Sequence, residues 1–198
     1  MFTDTHLTYS CSPNAEFEFS LGSFSLQFHA LRDIKAGEEI FVSYTDVYVP
    51  AAERREQLAR YCFTCVCTAC SRATPDSDKF RQAAASEMKL LDARYRTAKE
   101  YEYDQKRNNG MRMVREIIFP KVLEFRRKLR EEGLGLMFGA YLNSTILLHE
   151  VHVQLGMFEE PEAKSVFKDL MAWTTMQARI QGRTFSENRK VTLKVPKL

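Results

Sequence analysis

The chain has 198 residues, of which 44% are hydrophobic, and its formal net charge is +3 at pH 7. This apolar content can fill a core and excludes global disorder, and the length suits one domain or a small domain with an appendage. The weak positive charge is not the concentrated basic surface of a dedicated nucleic-acid binder. No apolar run approaches the ~20 residues that a membrane span needs.

The first third of the chain, through about Arg72, predicts short strands and turns. Apolar and polar residues alternate on both sides of Gly22, which predicts a hairpin with its turn at residues 21–23. The alternating apolar residues are Phe17, Phe19, Leu21, Phe24, Leu26, Phe28 and Ala30. Another strand is predicted over residues 39–44. Pro50 is predicted to be the first residue of a helix that leads into a group of cysteines.

Four of the five cysteines lie in one short segment, at Cys62, Cys65, Cys67 and Cys70, and the fifth is Cys11. A disulfide within a Cys-x-Cys pair is strongly strained, because its Cα separation is outside the usual range. As thiolates the same side chains can converge on one soft ion, and tetrahedral zinc takes four sulfur ligands. Residues 65, 67 and 70 supply three ligands, and either Cys62 or Cys11 supplies the fourth. Buried free thiols are the alternative, which the dense clustering disfavours.

The cysteines also bear on the cellular compartment. Their count is odd and the sequence has no signal-like apolar stretch, which disfavours a secreted disulfide framework. A reducing compartment, the nucleus or the cytoplasm, is therefore predicted.

Beyond residues 74–78, which are predicted to be a polar breaker, the sequence has the apolar periodicity of helices. Three amphipathic stripes are predicted to face a core. They are Phe80, Ala84, Met88, Leu91, Tyr95 and Ala98; Val114, Ile117, Ile118, Val122, Phe125 and Leu129; and Val166, Leu170, Trp173 and Met176. Pro120 is predicted to kink the second helix. An apolar helix is predicted over residues 136–155, ended by Gly156, and its junction with the next helix hints at a tetratricopeptide-type repeat.

Two features of the helical part are interpreted as structural. The basic stretch at residues 121–132 is interleaved with glutamates, which indicates a solvated helix face and not a nucleic-acid site. His149 and His152 are spaced to share a metal, but Glu150 between them points to another face. Packed or rim positions are therefore predicted for both histidines.

Three motifs follow one another in the first third: Ser10-Cys11-Ser12-Pro13-Asn14, Gly37-Glu-Glu-Ile-Phe-Val-Ser-Tyr44 and Tyr61-Cys-Phe-Thr-Cys-Val-Cys-Thr-Ala-Cys70. Together they resemble the C-terminal part of a SET domain with its post-SET zinc loop, and the SMYD-like subgroup is the most similar. The helical half is similar to the helical appendage of that subgroup. The implied fold is α+β, with the SET segment and post-SET loop over residues 1–72 and an α-helical, tetratricopeptide-like region over residues 73–198.

The resemblance implies S-adenosylmethionine-dependent methylation of a lysine on a histone or another protein, so a lysine-bearing polypeptide is the implied partner. Further protein partners are expected on the helical region, and neither a membrane nor a specific nucleic acid is expected. In the family, the cysteine of the Ser-Cys-x-Pro-Asn motif joins the post-SET cysteines on a structural zinc. The implied ligands are Cys11, Cys65, Cys67 and Cys70. Cys62 is then a packed thiol.

The resemblance also implies roles for four other residues. Tyr44 corresponds to the catalytic phenol that orients the lysine amine, and Phe63 to the aromatic that covers the cofactor adenine. Thr8 and Tyr9 stand where the family has an Asn-His pair that contacts the cofactor. The family's N-terminal Gly-x-Gly cofactor segment and its MYND zinc module have no counterpart in this sequence. The alternative is a catalytically inactive, zinc-stabilised module for protein interaction.

Overall fold

The computed structural model describes residues 8–21, 23–100, 107–135 and 139–180. Its strands are β1 (Thr8–Tyr9), β2 (Ala15–Ser20), β3 (Ser25–Ala30) and β4 (Phe41–Val42). Its helices are α1 (Ala51–Ala59), α2 (Thr68–Ser71), α3 (Pro75–Glu100), α4 (Arg107–Met113), α5 (Phe119–Glu131), α6 (Gly139–Leu155) and α7 (Pro161–Ile180), with a π-helical stretch (Val114–Ile118) between α4 and α5. The predicted α+β class is confirmed.

Strands β2 and β3 form the predicted antiparallel hairpin, although its turn residue Gly22 lies outside the described residues. Phe17 is opposite Phe28, and Phe19 is opposite Leu26, so the four side chains share one face. This face does not belong to the core, since its side chains remain 40–49% exposed. On β3 the half-buried side chains are instead those of the opposite, polar face: Ser25, Gln27 and His29.

Strand β4 is shorter than the predicted strand at residues 39–44, because its partner β1 has only two residues and pairs with it in parallel. The fully buried Asn14 bonds the main chain beside β4. Its Oδ1 accepts the Phe41 N–H at 2.7 Å, and its Nδ2 donates to the Glu39 carbonyl at 2.8 Å. The asparagine amide thus extends the pairing that two-residue strands cannot provide alone.

Two helix starts differ from the sequence prediction. Helix α1 begins at Ala51, one residue later than predicted, and the Pro50 carbonyl accepts a hydrogen bond from the Arg54 N–H. The predicted breaker at residues 74–78 is wrong, because α3 begins at Pro75. Proline suits the first helical turn, and the Thr74 hydroxyl accepts the Ser77 N–H at 3.1 Å, as a helix cap does.

The core of the helical part is built from the predicted stripes. All six predicted residues of α3 are buried. Ile117 of the second stripe is exposed. The other five residues of this stripe are buried: Val114, Ile118, Val122, Phe125 and Leu129. The π-helical stretch just before Pro120 shifts the register by about one residue per turn, which accounts for the exposure. The distortion predicted at this proline, which has no N–H to donate, takes this form.

Two glycines with positive φ end α5 and α6. Gly156 ends α6 as predicted, with φ of 68°, although residues 136–138 at the predicted start of this helix lie outside the described residues. Gly133 follows α5 with φ of 71°. It also lies against Ser12, whose side chain occupies the space that a Cβ at this position would need. The end of α5 therefore contacts the loop that follows β1.

The strand region and the helices are also joined through Arg81 of α3. Its fully buried guanidinium donates to the Val47 carbonyl at 2.7 Å and pairs with Glu132 at 3.0 Å. Val47 itself packs in the same core as the helices. None of the helices in the described ranges is long and apolar enough to cross a membrane.

Candidate metal centre and aromatic cluster

Four cysteine side chains converge from two distant parts of the chain. The Sγ atoms of Cys11, Cys65, Cys67 and Cys70 all lie within 4.8 Å of one another. Cys11 follows β1, whereas the other three lie in the loop before α2 and in α2 itself. Cys62 lies outside the group and is exposed, so the expected packed position of this thiol is wrong; the backbone turns there with a positive φ of 58°. Of the two candidates for the fourth ligand, the structure therefore brings Cys11 to the cluster.

The geometry of the cluster fits a tetrahedral metal ion. Zinc–sulfur bonds of about 2.3 Å place the sulfur atoms of a tetrahedral site about 3.8 Å apart. The four Sγ atoms all lie within 4.8 Å of one another, and those of Cys11 and Cys70 are 3.4 Å apart. All four are free thiols, and three of them are buried. The site is closed by α2, whose first turn is fixed by hydrogen bonds from Cys70 and Ser71 N–H to the Cys67 carbonyl, each at 2.9 Å.

The thiols strongly affect one another's protonation. The contact with Cys67 raises the pKa of the Cys11 thiol, and the same contact lowers the pKa of Cys67. Burial raises the pKa of Cys65 to about 11. Metal ligation requires thiolates, so these thiols would have to release their protons for all four to bind a cation.

An aromatic cluster lies directly beside the thiols. The Tyr9 ring is 5.6 Å from the Tyr44 ring and 5.3 Å from the Phe63 ring. The Tyr9 hydroxyl bonds Thr45 Oγ1 at 2.5 Å and Cys11 Sγ at 3.2 Å. Burial raises the pKa of Tyr9 above its usual range. Tyr9 therefore connects the aromatic rings to the cysteine group.

The predicted site residues are thus close neighbours where the structure describes their side chains. Tyr44 is half-buried among the rings, and Phe63 is 36% exposed. Thr8 pairs with Phe41 through its main chain, and its side chain lies outside the described residues. Their roles in catalysis and cofactor binding remain predictions.

Tyr61 is a site residue that the sequence analysis left without a role. Its ring is 5.5 Å from that of Tyr44 and 47% exposed, and the Arg60 guanidinium lies 5.1 Å from its centroid. Its position immediately before Cys62-Phe63 in the third motif is the sequence feature that could have identified it. Tyr61 places a second, partly exposed phenol ring beside that of Tyr44.

The two histidines of α6 behave as predicted. His152 is buried, its Nδ1–H donates to the Leu148 carbonyl at 2.7 Å, and its ring packs edge-on to Phe119 at 5.1 Å. His149 is half-buried beside the Phe167 ring. Among the described residues, the cysteine group is the only cluster of three or more potential metal ligands.

Comparison with known proteins adds an independent finding. The SET domain family model matches residues 4–45. Histone-lysine N-methyltransferase SMYD3 of Mus musculus is 40% identical over 73 residues, which are 36% of this chain and 17% of that protein. Protein-lysine N-trimethyltransferase SMYD5 of Gallus gallus is 43% identical over 74 residues, or 35% of this chain and 18% of that protein.

N-lysine methyltransferase SMYD2 of Homo sapiens is 38% identical over 81 residues, which are 40% of this chain and 18% of that protein. The chain thus spans less than a fifth of the length of these curated relatives. Residues 4–45 match the SET domain family model, and over 73 to 81 residues the chain is similar to lysine methyltransferases of the SMYD type.

Proposed function

We propose that this chain forms part of an S-adenosylmethionine-dependent protein-lysine N-methyltransferase. It contributes the C-terminal SET segment and a post-SET zinc loop. The observation that carries the proposal is the aromatic cluster of Tyr9, Tyr44, Tyr61 and Phe63, which lies directly against a four-thiol group. Aromatic rings held in place beside a metal site suit a reaction that depends on positioning and on the exclusion of water.

The zinc in this proposal is structural. Cys11 binds it from the strand region, and Cys65, Cys67 and Cys70 bind it from the loop that carries Phe63. All four positions are ligands, so the ion has no open site for substrate. Its role is to hold the Phe63 loop against Tyr9 and Tyr44.

S-adenosylmethionine would supply a methyl group on a sulfonium sulfur: the amine nitrogen forms a bond to the methyl carbon, the carbon–sulfur bond breaks, and the sulfur leaves as a neutral thioether. Phe63 offers a partly exposed ring face on which an adenine can stack. The main chain at Thr8 and Tyr9, fixed by its pairing with β4, borders the same space.

The aromatic residues also act on the lysine. A lysine amine has a pKa near 10.4 in water and must lose a proton before it can attack. Contact with Tyr44 and Tyr61 removes water from the amine, which lowers its pKa. The Tyr44 hydroxyl then orients the amine and accepts a hydrogen bond from it while the proton leaves.

The helical region is proposed to be a tetratricopeptide-like array of helical hairpins that holds protein partners. This is supported by the packing of α6 against both α5 and α7 and by the glycine-ended junctions at Gly133 and Gly156. The free thiols suit a reducing compartment, the nucleus or the cytoplasm.

Calorimetric titration of the zinc-loaded chain with S-adenosylmethionine tests the proposal. Binding is expected, and Phe63→Ala should weaken it about tenfold because a stacking face for adenine is lost. Phe158→Ala is the matched control, since Phe158 is also an exposed phenylalanine but lies between α6 and α7. The absence of binding at millimolar ligand, or equal weakening in both variants, contradicts the proposal.

A second candidate, an inactive zinc-stabilised interaction module, is favoured by the hairpin face. Four large apolar side chains on β2 and β3 are exposed together, and such patches typically mark protein contacts. This candidate predicts zinc binding without S-adenosylmethionine binding. The same titration therefore distinguishes the two.

A further inference from the structure

Arg54 of α1 differs from the other fully buried arginines in its surroundings. Three arginine side chains are fully buried in the described part of the chain: Arg54, Arg81 and Arg126. Arg81 pairs with Glu132 and Arg126 with Asp169. Among the described residues, no carboxylate forms an ion pair with Arg54. A buried cation without a counter-ion is strongly unfavourable, so its charge requires another partner.

The contacts of Arg54 lead to the cysteine group. One Nη donates to the Val49 carbonyl at 2.5 Å. The other Nη donates to the Ala69 carbonyl at 3.3 Å and lies 3.9 Å from Cys70 Sγ. The Nε has no hydrogen-bond partner among the described residues. The guanidinium is therefore held at the edge of the thiol cluster, with two carbonyls fixing its plane.

We propose that Arg54 is the counter-ion of the metal centre, an inference that rests on the zinc site proposed above. Four thiolates around a divalent cation carry a net charge of −2, buried beside α1 and α2. A guanidinium at Cys70 offsets part of that charge in a low-dielectric environment, where charge interactions are strong. Arg54 is a positioning residue: it contacts the ligand Cys70 and reaches the metal only through that thiolate.

Arg54 also links two segments of the chain beside the cysteine group. Its two carbonyl bonds join the segment before α1 to α2, which carries Cys70. The charge and the hydrogen bonds are therefore separable functions of one side chain. Lysine retains the charge but not the fork of donors, whereas glutamine retains polar donors but not the charge.

Zinc affinity of the reduced full-length chain tests the inference. Competition against a chromophoric chelator gives the dissociation constant for Zn²⁺ alone. Arg54→Gln should bind Zn²⁺ about 10- to 100-fold more weakly than the wild type, the usual effect of losing a partner of a metal ligand. Arg54→Lys should recover most of this loss, since it restores the positive charge. The matched control is Arg81→Gln, a fully buried arginine that lies on α3 and pairs with Glu132.

The Arg81 variant should lower the melting temperature and leave zinc affinity within about threefold of the wild type. Equal zinc affinities for the wild type and Arg54→Gln, or no recovery in Arg54→Lys, overturn the role of Arg54. Should Arg54→Gln not fold, Arg54→Met takes its place as the variant without the charge: a loss of zinc affinity of about tenfold or more that Arg54→Lys recovers supports the inference, and an affinity within about threefold of the wild type overturns it. A folded wild type that binds no Zn²⁺ rejects the metal centre, and the inference with it.

Discussion

At the scale of single residues, Asn14 determines how the strand region closes. Its buried amide bonds the Phe41 N–H and the Glu39 carbonyl, which β1 is too short to reach. The segment thus fixed continues through Val42, which is fully buried, to Tyr44 of the aromatic cluster. One amide therefore holds the strand that leads to the proposed catalytic phenol.

Asn14→Ala should lower the free energy of unfolding by about 1–3 kcal/mol, because the hydrogen bonds of a fully buried amide to two part-buried main-chain groups are lost. Urea denaturation of the zinc-loaded chain measures this difference. Asn143→Ala, on the exposed face of α6, is the control and should change the stability by less than about 0.5 kcal/mol. Similar effects in the two variants contradict the role given to Asn14.

The sequence contained Asn14 within a motif, but its role depends on residues more than twenty positions away. Local patterns carry no information on that separation. The same limit applied to the metal centre: cysteine spacing predicted three ligands, and only the fold brings Cys11 and not Cys62 to the fourth position. Arg54 was missed for a related reason, since arginine in an amphipathic helix is usually exposed.

At the scale of elements, the end of α5 joins the helices to the loop that carries Cys11. Gly133 lies against Ser12, the neighbour of the proposed ligand Cys11, and its φ is positive. Gly156 has a similar φ but open space around its Cα. Substitution of these two glycines therefore distinguishes two contributions to destabilisation. One is the free-energy cost of a positive φ in a residue with a side chain, and the other is the cost of a clash with Ser12.

Gly156→Ala should destabilise the chain by about 1 kcal/mol, the cost of a left-handed conformation with a side chain. Gly133→Ala should cost more, about 2 kcal/mol or above, because Ser12 must also move. Thermal unfolding of both variants measures the difference. Equal destabilisation indicates that the contact with Ser12 does not contribute.

The apolar periodicity predicted the helices well, because the apolar residues of each stripe lie on the face that the helix buries in the core. All six apolar positions of α3 were identified in this way. It failed at residues 74–78. These residues are polar and contain proline, and this composition is typical both of a loop and of the start of a helix. Ile117 was misplaced because a π-helical stretch does not follow the 3.6-residue period.

At the scale of the whole molecule, the strands and the helices differ in what stabilises them. The helices share a large apolar core, whereas the second core cluster is small and includes the cysteines Cys11, Cys65 and Cys70. The hairpin adds little burial, as its apolar face is exposed. We therefore expect the first third to depend on the proposed metal centre more than the helical part does.

Removal of zinc with a chelator should unfold the first third and leave most of the helical signal. Far-ultraviolet circular dichroism should change little, while the near-ultraviolet signal of the packed rings near Tyr9 and Tyr44 should be lost. Cys67→Ser should give the same result, because a structural zinc contributes folding free energy directly. Cys62→Ser is the control and should behave like the wild type. Loss of both signals together would show that the two parts unfold as one unit.

The distance along the chain between Cys11 and Cys65 has a thermodynamic consequence. An ion bound by both closes a loop of about fifty residues, and a comparable covalent link reduces the entropy of the unfolded chain by an equivalent of about 4 kcal/mol. Unlike a disulfide, this link dissociates reversibly. The stability of the strands then follows the concentration of free zinc, changing by about 1.4 kcal/mol for each tenfold change above the dissociation constant.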